Sequence, residues 1–261
     1  RSHTLSKSAA RLHYEVAGQG EHLVVIHGVG SQADDWLPVL AHLTDQFEVL
    51  RFDLRGHGSS EAPIGPYSID DFVCDVVALM DSLQFQRAHV AGFSLGGLVA
   101  QGLALQHPER VNRLALLSTV AGRSADERKR VVGRLEFIAS SHPADYFEQS
   151  VERWFTPAFR EANPEVIAGR KATVTAMDQQ AYAAAYHALA HSDFGEQLAE
   201  ITAPTLVMTG EHDLGSNPRM AEFMAYTIPG AELKILPELR HSILLEAPQI
   251  VGPLLKDFFL Q

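Results

Sequence analysis

Cysteine is almost absent from this 261-residue sequence, which contains only Cys74. One thiol excludes an internal disulfide framework, and sparse cysteine use is typical of proteins from reducing compartments. Long apolar runs are also lacking, since none reaches the ~18 residues that a membrane-spanning helix requires. No signal peptide is recognisable, although a start at Arg1 rather than Met makes the N-terminus a weak guide. We therefore expect a cytoplasmic protein without a membrane partner.

Positive charge is scarce as well. The sequence has 21 Lys and Arg residues against 32 Asp and Glu residues, which gives a formal net charge of −11. Such an acidic chain is repelled by nucleic acids and by anionic membranes, so neither is expected as the main partner. Hydrophobic residues make up 46% and charged residues 20% of the chain, as in ordinary globular proteins. The length is sufficient for one large α/β domain with an insertion.

Apolar segments of strand length alternate with helical patterns over most of the chain, which predicts a mostly parallel sheet flanked by helices. The run from Leu23 to Ile26 is continuous, as expected for a strand covered on both faces. Strands are predicted at 12–16, 23–26, 47–52, 87–90, 114–118, 204–210 and 233–236. Helices are predicted between them at 36–43, 68–83, 98–106, 218–227 and 248–260.

The alternation stops between residues 122 and 203. No strand pattern occurs there, and helices are predicted at 124–140, 143–153, 164–178 and 179–191. We therefore divide the chain into an α/β core domain, residues 1–121 and 204–261, and a helical lid or cap, residues 122–203. Ligands of open α/β sheets bind beyond the carboxyl ends of the strands, so the lid is expected to cover that edge.

The segment Gly92-Phe93-Ser94-Leu95-Gly96 lies between a predicted strand and a predicted helix. This G-x-S-x-G pattern is typical of a nucleophile elbow, a sharp turn whose strained backbone projects the serine into open space. Both glycines are needed because a Cβ at either would collide with the neighbouring strand and helix. At a helix N-terminus, Ser94 also lies where the helix dipole favours developing negative charge. We predict Ser94 to be a catalytic nucleophile.

A serine hydroxyl needs a base to take its proton and a third group to orient that base. Asp213 follows the predicted strand at 204–210, and His241 follows the one at 233–236. The chain order Ser, Asp, His is the order expected for an elbow nucleophile. Glu211 and His212 are nearby rivals, but only Asp213 has the expected spacing. We predict that His241 is the base and that Asp213 orients it.

Attack by Ser94 produces an oxyanion, which is stabilised by backbone N–H donors. Leu95, directly after the nucleophile, is predicted to supply one donor. Val29, in the glycine-rich turn after the strand at 23–26, is predicted to supply the other. Gly28 beside it lets the backbone approach the substrate closely. These backbone groups form the predicted oxyanion hole.

Four residues are predicted to contact substrate: Gly28, Phe93, Trp154 and Arg240. Trp154 belongs to an aromatic patch that forms either the lid core or a pocket wall. Arg240 precedes the base, and this residue or a lid arginine is a candidate clamp for a substrate carboxylate. The lid arginines are Arg123, Arg128, Arg130, Arg134, Arg153, Arg160 and Arg170. No metal site and no cofactor are expected.

Together these motifs resemble the α/β-hydrolase fold family from about Leu12 to Phe259, and in particular its compact, lidded serine esterases and lactonases. Among these, the resemblance is loosely to 3-oxoadipate enol-lactonases. It is carried by His27-Gly28, Asp53-Leu54-Arg55-Gly56-His57-Gly58-Ser59-Ser60, Gly92-Phe93-Ser94-Leu95-Gly96-Gly97, His107-Pro108-Glu109-Arg110-Val111, Gly210-Glu211-His212-Asp213 and His241. The resemblance implies an eight-stranded sheet with one antiparallel edge strand, no cofactor and an acyl-enzyme on Ser94. Relatives that open epoxides or displace halides carry Asp in place of Ser94, which argues against those reactions.

We therefore predict a cofactor-free serine hydrolase that cleaves a small carboxylic ester or lactone with water. An alternative is hydrolysis of a carbon–carbon bond in a ring-fission product, which uses the same triad. Two further hypotheses are a non-catalytic ligand receptor and a cofactor-free oxygenase or perhydrolase. The sequence leaves open the physiological substrate and the oligomeric state, monomer or homodimer.

Overall fold

The computed structural model describes residues 8–261 and shows one sheet with helices on both faces. The strands are β1 (Tyr14–Gly18), β2 (Glu21–Ile26), β3 (Phe47–Phe52), β4 (Ala88–Phe93), β5 (Val111–Leu117), β6 (Thr205–Gly210) and β7 (Glu232–Leu236). The α-helices are α1 (Leu37–Leu40), α2 (Ile69–Ser82), α3 (Leu95–Gln106), α4 (Ala125–Ser140), α5 (Pro143–Trp154), α6 (Pro157–Ala162), α7 (Pro164–Ala176), α8 (Gln179–Ala190), α9 (Pro218–Thr227), α10 (Ile243–Glu246) and α11 (Pro248–Phe259). In this part of the chain, no helix is both long and apolar enough to cross a bilayer.

The strands are arranged in the order β1-β3-β2-β4-β5-β6-β7. β1 pairs antiparallel with β3, and every other neighbouring pair is parallel. Residues Leu23 to Ile26 of β2 have no exposed surface, because helices cover both faces of this strand. The prediction of a mostly parallel sheet with one antiparallel edge strand is confirmed.

The expectation of an eight-stranded sheet is wrong for residues 8–261, which form seven strands. Described residues just before β1 bond to the loop that follows β3. The Arg11 N–H donates to the Glu61 carboxylate, and the His13 N–H donates to the Ser60 hydroxyl. The Glu61 N–H also donates to the Arg11 carbonyl and the Asp53 N–H to the His13 carbonyl, so these residues are bonded to the loop after β3 and not to a further strand.

Two hydrophobic layers cover the sheet. Helices α2, α3 and α9 pack on one face through side chains such as Phe72, Leu98 and Met220. Helices α1 and α11 pack on the other face through side chains such as Val39 and Leu255. Since both faces are covered, the loops at the strand ends are the places left for a functional site.

The segment 122–203 contains five α-helices and no strand. Four of these helices were predicted, and α6 was not, because six residues are too few to show helical periodicity. Thr156 caps α6 by accepting a hydrogen bond from the Phe159 N–H, and Pro157 occupies its first turn. We refer to residues 122–203 as the helical insertion.

Candidate active site

Ser94 occupies the turn between β4 and α3. Its backbone has φ 54° and ψ −116°, a combination that side-chain-bearing residues rarely adopt. The Ser94 N–H donates to the Leu117 carbonyl at 2.9 Å, and the Ser94 carbonyl accepts from the Thr119 hydroxyl at 2.7 Å. These bonds to the end of β5 and the residues after it hold the strained turn in place. The local geometry is that of an elbow.

Gly96 allows α3 to begin against the end of β2. A Cβ on Gly96 would lie 2.3 Å from the Ile26 carbonyl oxygen, whereas a Cβ on Gly133 in α4 would meet nothing within 4 Å. We expect Gly96→Ala to lower the free energy of unfolding by about 3 kcal/mol. The control Gly133→Ala is expected to raise it by roughly 0.5–1 kcal/mol, because alanine favours a helix. Urea denaturation measures both changes, and a Gly96→Ala protein of wild-type stability would contradict this account.

Asp213 and His241 meet at the ends of β6 and β7. Nδ1 of His241 lies 2.7 Å from Oδ2 of Asp213, whose Oδ1 accepts from the Ser216 N–H at 3.0 Å. Because a carboxylate only accepts hydrogen bonds, Nδ1 carries the proton and Nε2 keeps a lone pair. Asp213 is 3% exposed, while His241 is half-buried. The pair can therefore orient a basic nitrogen that remains accessible.

Backbone hydrogen bonds fix the loop that carries His241. The His212 N–H donates to the Leu239 carbonyl, and the Ser242 N–H donates to the Trp154 carbonyl, both at 2.9 Å. The second bond joins the loop to the last residue of α5. The position of His241 therefore depends on the helical insertion as well as on the sheet.

A buried histidine ring supports the turn that follows β2. The Leu54 N–H donates to Nε2 of His27 at 3.0 Å, and Nδ1 of His27 lies 2.7 Å from the Gly28 carbonyl oxygen. Since Nε2 accepts, Nδ1 must carry the proton that it donates. The neutral ring thus connects this turn to the loop after β3.

His57 supports the same turn from the other side. Its Nε2 accepts from the Gly30 N–H at 3.0 Å, and its Nδ1 lies 2.9 Å from the Arg55 carbonyl oxygen. The two rings contact each other edge to face, with their centres 5.0 Å apart. A second proton on either ring would turn its accepting nitrogen into a donor that faces a backbone N–H. Both histidines must therefore be neutral for the turn to keep this shape.

Burial lowers the pKa of His27 to about 4, and burial together with the nearby His27 lowers the pKa of His57 to about 3. Both values lie below the ordinary 6.5, so the unfolded chain takes up protons first as the pH falls. The free energy of unfolding is then highest above pH 6.5 and declines towards pH 4, by about 3 kcal/mol for His27 alone.

Urea denaturation between pH 7 and pH 4 tests this dependence. We expect the stability of His57→Gln to depend less steeply on pH than that of the wild type, because one group with a lowered pKa is gone. His13→Gln removes an exposed ring and is expected to keep the wild-type slope. Equal slopes for the His57 variant and the wild type would contradict the role given to this ring.

A cavity of about 370 Å³ lies between the strand ends and the helical insertion. Ser94, Asp213 and His241 line it together with Gly28 and Val29, although the chain separates them widely. The insertion contributes aromatic and cationic side chains, which are Tyr146, Trp154, Tyr186, Arg123, Arg130, Arg134, Arg153 and Arg170. The arrangement brings a serine hydroxyl, a histidine ring and a carboxylate to one cavity.

Two further predicted site residues line the cavity, and a third lies at the start of α3. Phe93 and Trp154 line the cavity, and the Phe93 ring centre lies 5.1 Å from that of His241. Leu95 has a fully buried side chain and is the first residue of α3. Its backbone N–H is thus one of the donors at a helix start that lack a partner within the helix. Leu95 is not among the residues that line the cavity, so its role as an oxyanion donor stays a prediction.

Arg240 is predicted to contact substrate, but the structure directs its guanidinium to the end of α5. Arg240 is not among the residues that line the cavity. Its Nη1 donates to the carbonyls of Glu152 and Phe155, at the C-terminal end of α5. Free carbonyls at a helix C-terminus attract a cation, which explains this placement. Arg240 joins the loop of His241 to the insertion.

Two tyrosines that sequence reasoning missed also line the cavity. Tyr146 lies in α5 and Tyr186 in α8, and their hydroxyl oxygens are 3.4 Å apart. The sequence of α5 could have indicated Tyr146, because it lies eight residues before Trp154 and therefore on the same face of the helix. No comparable signal marked His27 and His57 as supports of the turn after β2.

Comparison with known proteins places these features in context. The family model of the alpha/beta hydrolase fold matches residues 21–248. The 3-oxoadipate enol-lactonase 2 of Acinetobacter baylyi is 32% identical over 248 residues, which cover 94% of this chain and 92% of that protein. The (E)-2-((N-methylformamido)methylene)succinate hydrolase of the same organism is 32% identical over 256 residues, which cover 96% of this chain and 95% of that protein. The solved enol-lactonase from Burkholderia xenovorans LB400 superposes with a TM-score of 0.92 at 32% identity and covers 97% of each chain.

Proposed function

This chain belongs to the α/β-hydrolase family and is a hydrolase of ester or lactone bonds, and we propose that it acts through an acyl-enzyme on Ser94. One observation carries this proposal: Ser94 and the bonded pair of Asp213 and His241 line the same cavity. The relatives from Acinetobacter baylyi are named for a lactone and for a substituted succinate. Small carboxylic esters or lactones are therefore the proposed substrates, with water as the second reactant.

The three residues have distinct roles in this mechanism. Oγ of Ser94 attacks the carbonyl carbon while Nε2 of His241 takes the hydroxyl proton. Asp213 holds the ring in the required tautomer and stabilises the imidazolium that forms. The imidazolium then gives its proton to the leaving alkoxide, and water activated by His241 releases the acid. Of the three side chains, only His241 changes its charge during the reaction.

The backbone N–H groups of Val29 and Leu95 form the proposed oxyanion hole. Support comes from the contact between the two segments, since a Cβ on Gly28 would lie 3.1 Å from Cβ of Ser94. The turn that carries Val29 therefore lies directly beside the nucleophile. Donors fixed in this way stabilise the developing charge without reorganising during the reaction.

We further propose that residues 122–203 act as a lid on a core made of residues 1–121 and 204–261. Trp154, Tyr146 and Tyr186 of the insertion face the same cavity as Ser94, which supports this division. Together with Phe93 from the core, they supply the apolar walls that bind a small acyl or alcohol group.

Covalent labelling tests the proposed nucleophile. We expect a fluorophosphonate to modify the peptide that contains Ser94, and turnover of small aryl esters and lactones to fall in proportion to labelling. Ser118 is a suitable control, because it is buried in the loop after β5 and does not line the cavity. Ser118→Ala should label as the wild type does. Modification of another residue, or turnover that survives complete labelling, would refute the proposal.

A further inference from the structure

The segment that follows β2 forms a four-residue turn from Gly28 to Ser31. The Ser31 N–H donates to the Gly28 carbonyl at 3.2 Å, and Gly30, in the third position, has φ 72°, as in a type II turn. All peptide bonds of this turn are trans. The C=O and N–H groups of a trans peptide point in opposite directions. The direction of the Val29 N–H is therefore set by whatever binds the Gly28 carbonyl, which belongs to the same peptide.

The Gly28 carbonyl is bound on the buried side of the turn. It accepts hydrogen bonds from Nδ1 of His27, whose side chain has no exposed surface, and from the Ser31 N–H. The Val29 N–H points the other way, and no carbonyl of residues 8–261 accepts it. A Cβ on Gly28 would lie 3.1 Å from Cβ of Ser94. The Val29 N–H is thus an unpaired donor in a turn that lies beside the proposed nucleophile.

Arg170 binds the next peptide of this turn. Its Nη1 donates to the Gly30 carbonyl, and the N–H of that same peptide is the Ser31 N–H, which donates to the Gly28 carbonyl. Two peptides in series therefore connect the guanidinium group to the Val29 N–H. Their hydrogen bonds all run in one direction, so a positive charge at one end polarises both peptides and strengthens the donor at the other end.

The guanidinium group of Arg170 is held firmly above the turn. The side chain extends from α7, is 9% exposed, and places its guanidinium carbon 5.1 Å from the centre of the Trp154 ring. Among residues 8–261, no acidic side chain forms an ion pair with it. Its charge is therefore not compensated by a neighbouring carboxylate and acts on the Gly30 carbonyl.

The same charge acts on the two histidines that support the turn. Burial is the main cause of the lowered pKa of His27 and of His57, and the charge of Arg170 lowers both values further. Both rings must be neutral for the turn to keep its shape. Arg170 therefore favours the protonation state that the turn requires.

We propose that Arg170 is a positioning residue for the oxyanion hole, which fixes and polarises the Val29 N–H through the two intervening peptides. In this role Arg170 contacts the turn and does not have to contact the substrate. Because Arg170 belongs to the helical insertion, the insertion completes a catalytic group of the core as well as covering it. The inference rests on the proposed function, since it requires that Val29 stabilises an oxyanion formed on Ser94.

Hydrolysis of a neutral ester, para-nitrophenyl butyrate, tests this role because the substrate offers no anion for Arg170 to bind. Removing an oxyanion donor costs about 10²–10³-fold in rate, and weakening one should cost less. We expect Arg170→Met to lower kcat at least about tenfold with little change in KM, since the oxyanion forms only after the ester is bound. Arg170→Lys keeps a charged donor and should have a higher kcat than Arg170→Met. Arg160→Met removes the same charge from α6, outside the cavity wall, and should keep the wild-type kcat.

Inhibitor binding provides a readout that a purely structural role would not change. Oγ of Ser94 adds to the carbonyl carbon of a trifluoromethyl ketone, and the adduct carries an oxyanion, whereas the matching methyl ketone binds as a neutral molecule. Arg170→Met should raise the Ki of the trifluoromethyl ketone at least about tenfold and leave that of the methyl ketone unchanged. Urea denaturation establishes that each variant is folded. Arg170→Gln removes the same charge and takes the place of Arg170→Met if that protein does not fold.

The outcomes separate this role from the proposed function. A wild-type kcat in Arg170→Met, together with loss of turnover in Ser94→Ala, would overturn the role of Arg170 and leave the proposed function intact. A change confined to KM, or equal rises in both Ki values, would also overturn it, because either result indicates direct contact with the ligand. Turnover that persists in Ser94→Ala would overturn the proposed function and this role with it.

Discussion

Replacing Ser94 with alanine is expected to lower kcat by between roughly 10⁴- and 10⁶-fold, because the acyl-enzyme cannot form without the hydroxyl oxygen. The fold should persist, since the Ser94 side chain makes no hydrogen bond that stabilises the turn. The bonds that hold the turn use its backbone N–H and carbonyl. Steady-state kinetics on small aryl esters, combined with urea denaturation, measures both effects.

Two comparisons make this prediction specific. Ser118 also has a positive φ, and its buried hydroxyl has no hydrogen-bond partner within residues 8–261. The Ser118→Ala protein should therefore retain the wild-type kcat. Ser94→Gly should be as inactive as Ser94→Ala but more stable, because glycine tolerates φ 54° and ψ −116° without strain. A folded Ser94→Ala protein with substantial turnover would show that another residue is the nucleophile.

Replacing Asp213 with asparagine is expected to lower kcat by about 10⁴-fold while the protein remains folded. The amide can donate to Nδ1 of His241, which stabilises the tautomer that carries its proton on Nε2. That tautomer cannot accept the proton of Ser94. Pre-steady-state kinetics should show that formation and hydrolysis of the acyl-enzyme both slow, because His241 is the base in each step.

Glu211→Gln is the matched control for this substitution. Glu211 is two residues from Asp213, but its carboxylate lies 3.3 Å from the ring of His212 and accepts from the Glu238 N–H. It makes no contact with His241 in the described structure, so kcat should stay within a few-fold of the wild type. A larger loss of kcat in Glu211→Gln than in Asp213→Asn would show that Glu211, and not Asp213, orients His241.

Much of the fold was predictable because its signals are local. Leu23 to Ile26 form a continuous apolar run of strand length, as is typical of a strand covered on both faces, and the structure buries this run completely. The spacing of Gly92, Ser94 and Gly96 predicts a tight turn, because a side chain at either glycine would collide with neighbouring backbone. Helix α6 escaped prediction because its start depends on one cap at Thr156 rather than on a repeated pattern.

The candidate site was only partly predictable. The expected spacing after the strand at 204–210 favoured Asp213 over Glu211, and Asp213 is the residue whose carboxylate contacts His241 in the structure. The local sequence does not predict the direction in which a long side chain points. Arg240 precedes His241 in sequence, yet its guanidinium donates to the carbonyls at the end of α5 and does not line the cavity. Arg153, which has no such acceptors, lines the cavity instead.

The sequence by itself determined the family, the mostly parallel sheet and the identity of the serine, aspartate and histidine that the site brings together. These features follow from short-range patterns, since strand burial, tight turns and helix starts depend on neighbouring residues. Only the tertiary structure decided which of the insertion's arginines line the cavity and which histidines support the turn beside Ser94. These placements depend on contacts between segments that are distant in the chain, such as those of Arg170 and His57 with Gly30. A local sequence pattern carries no information about the free energies of such contacts.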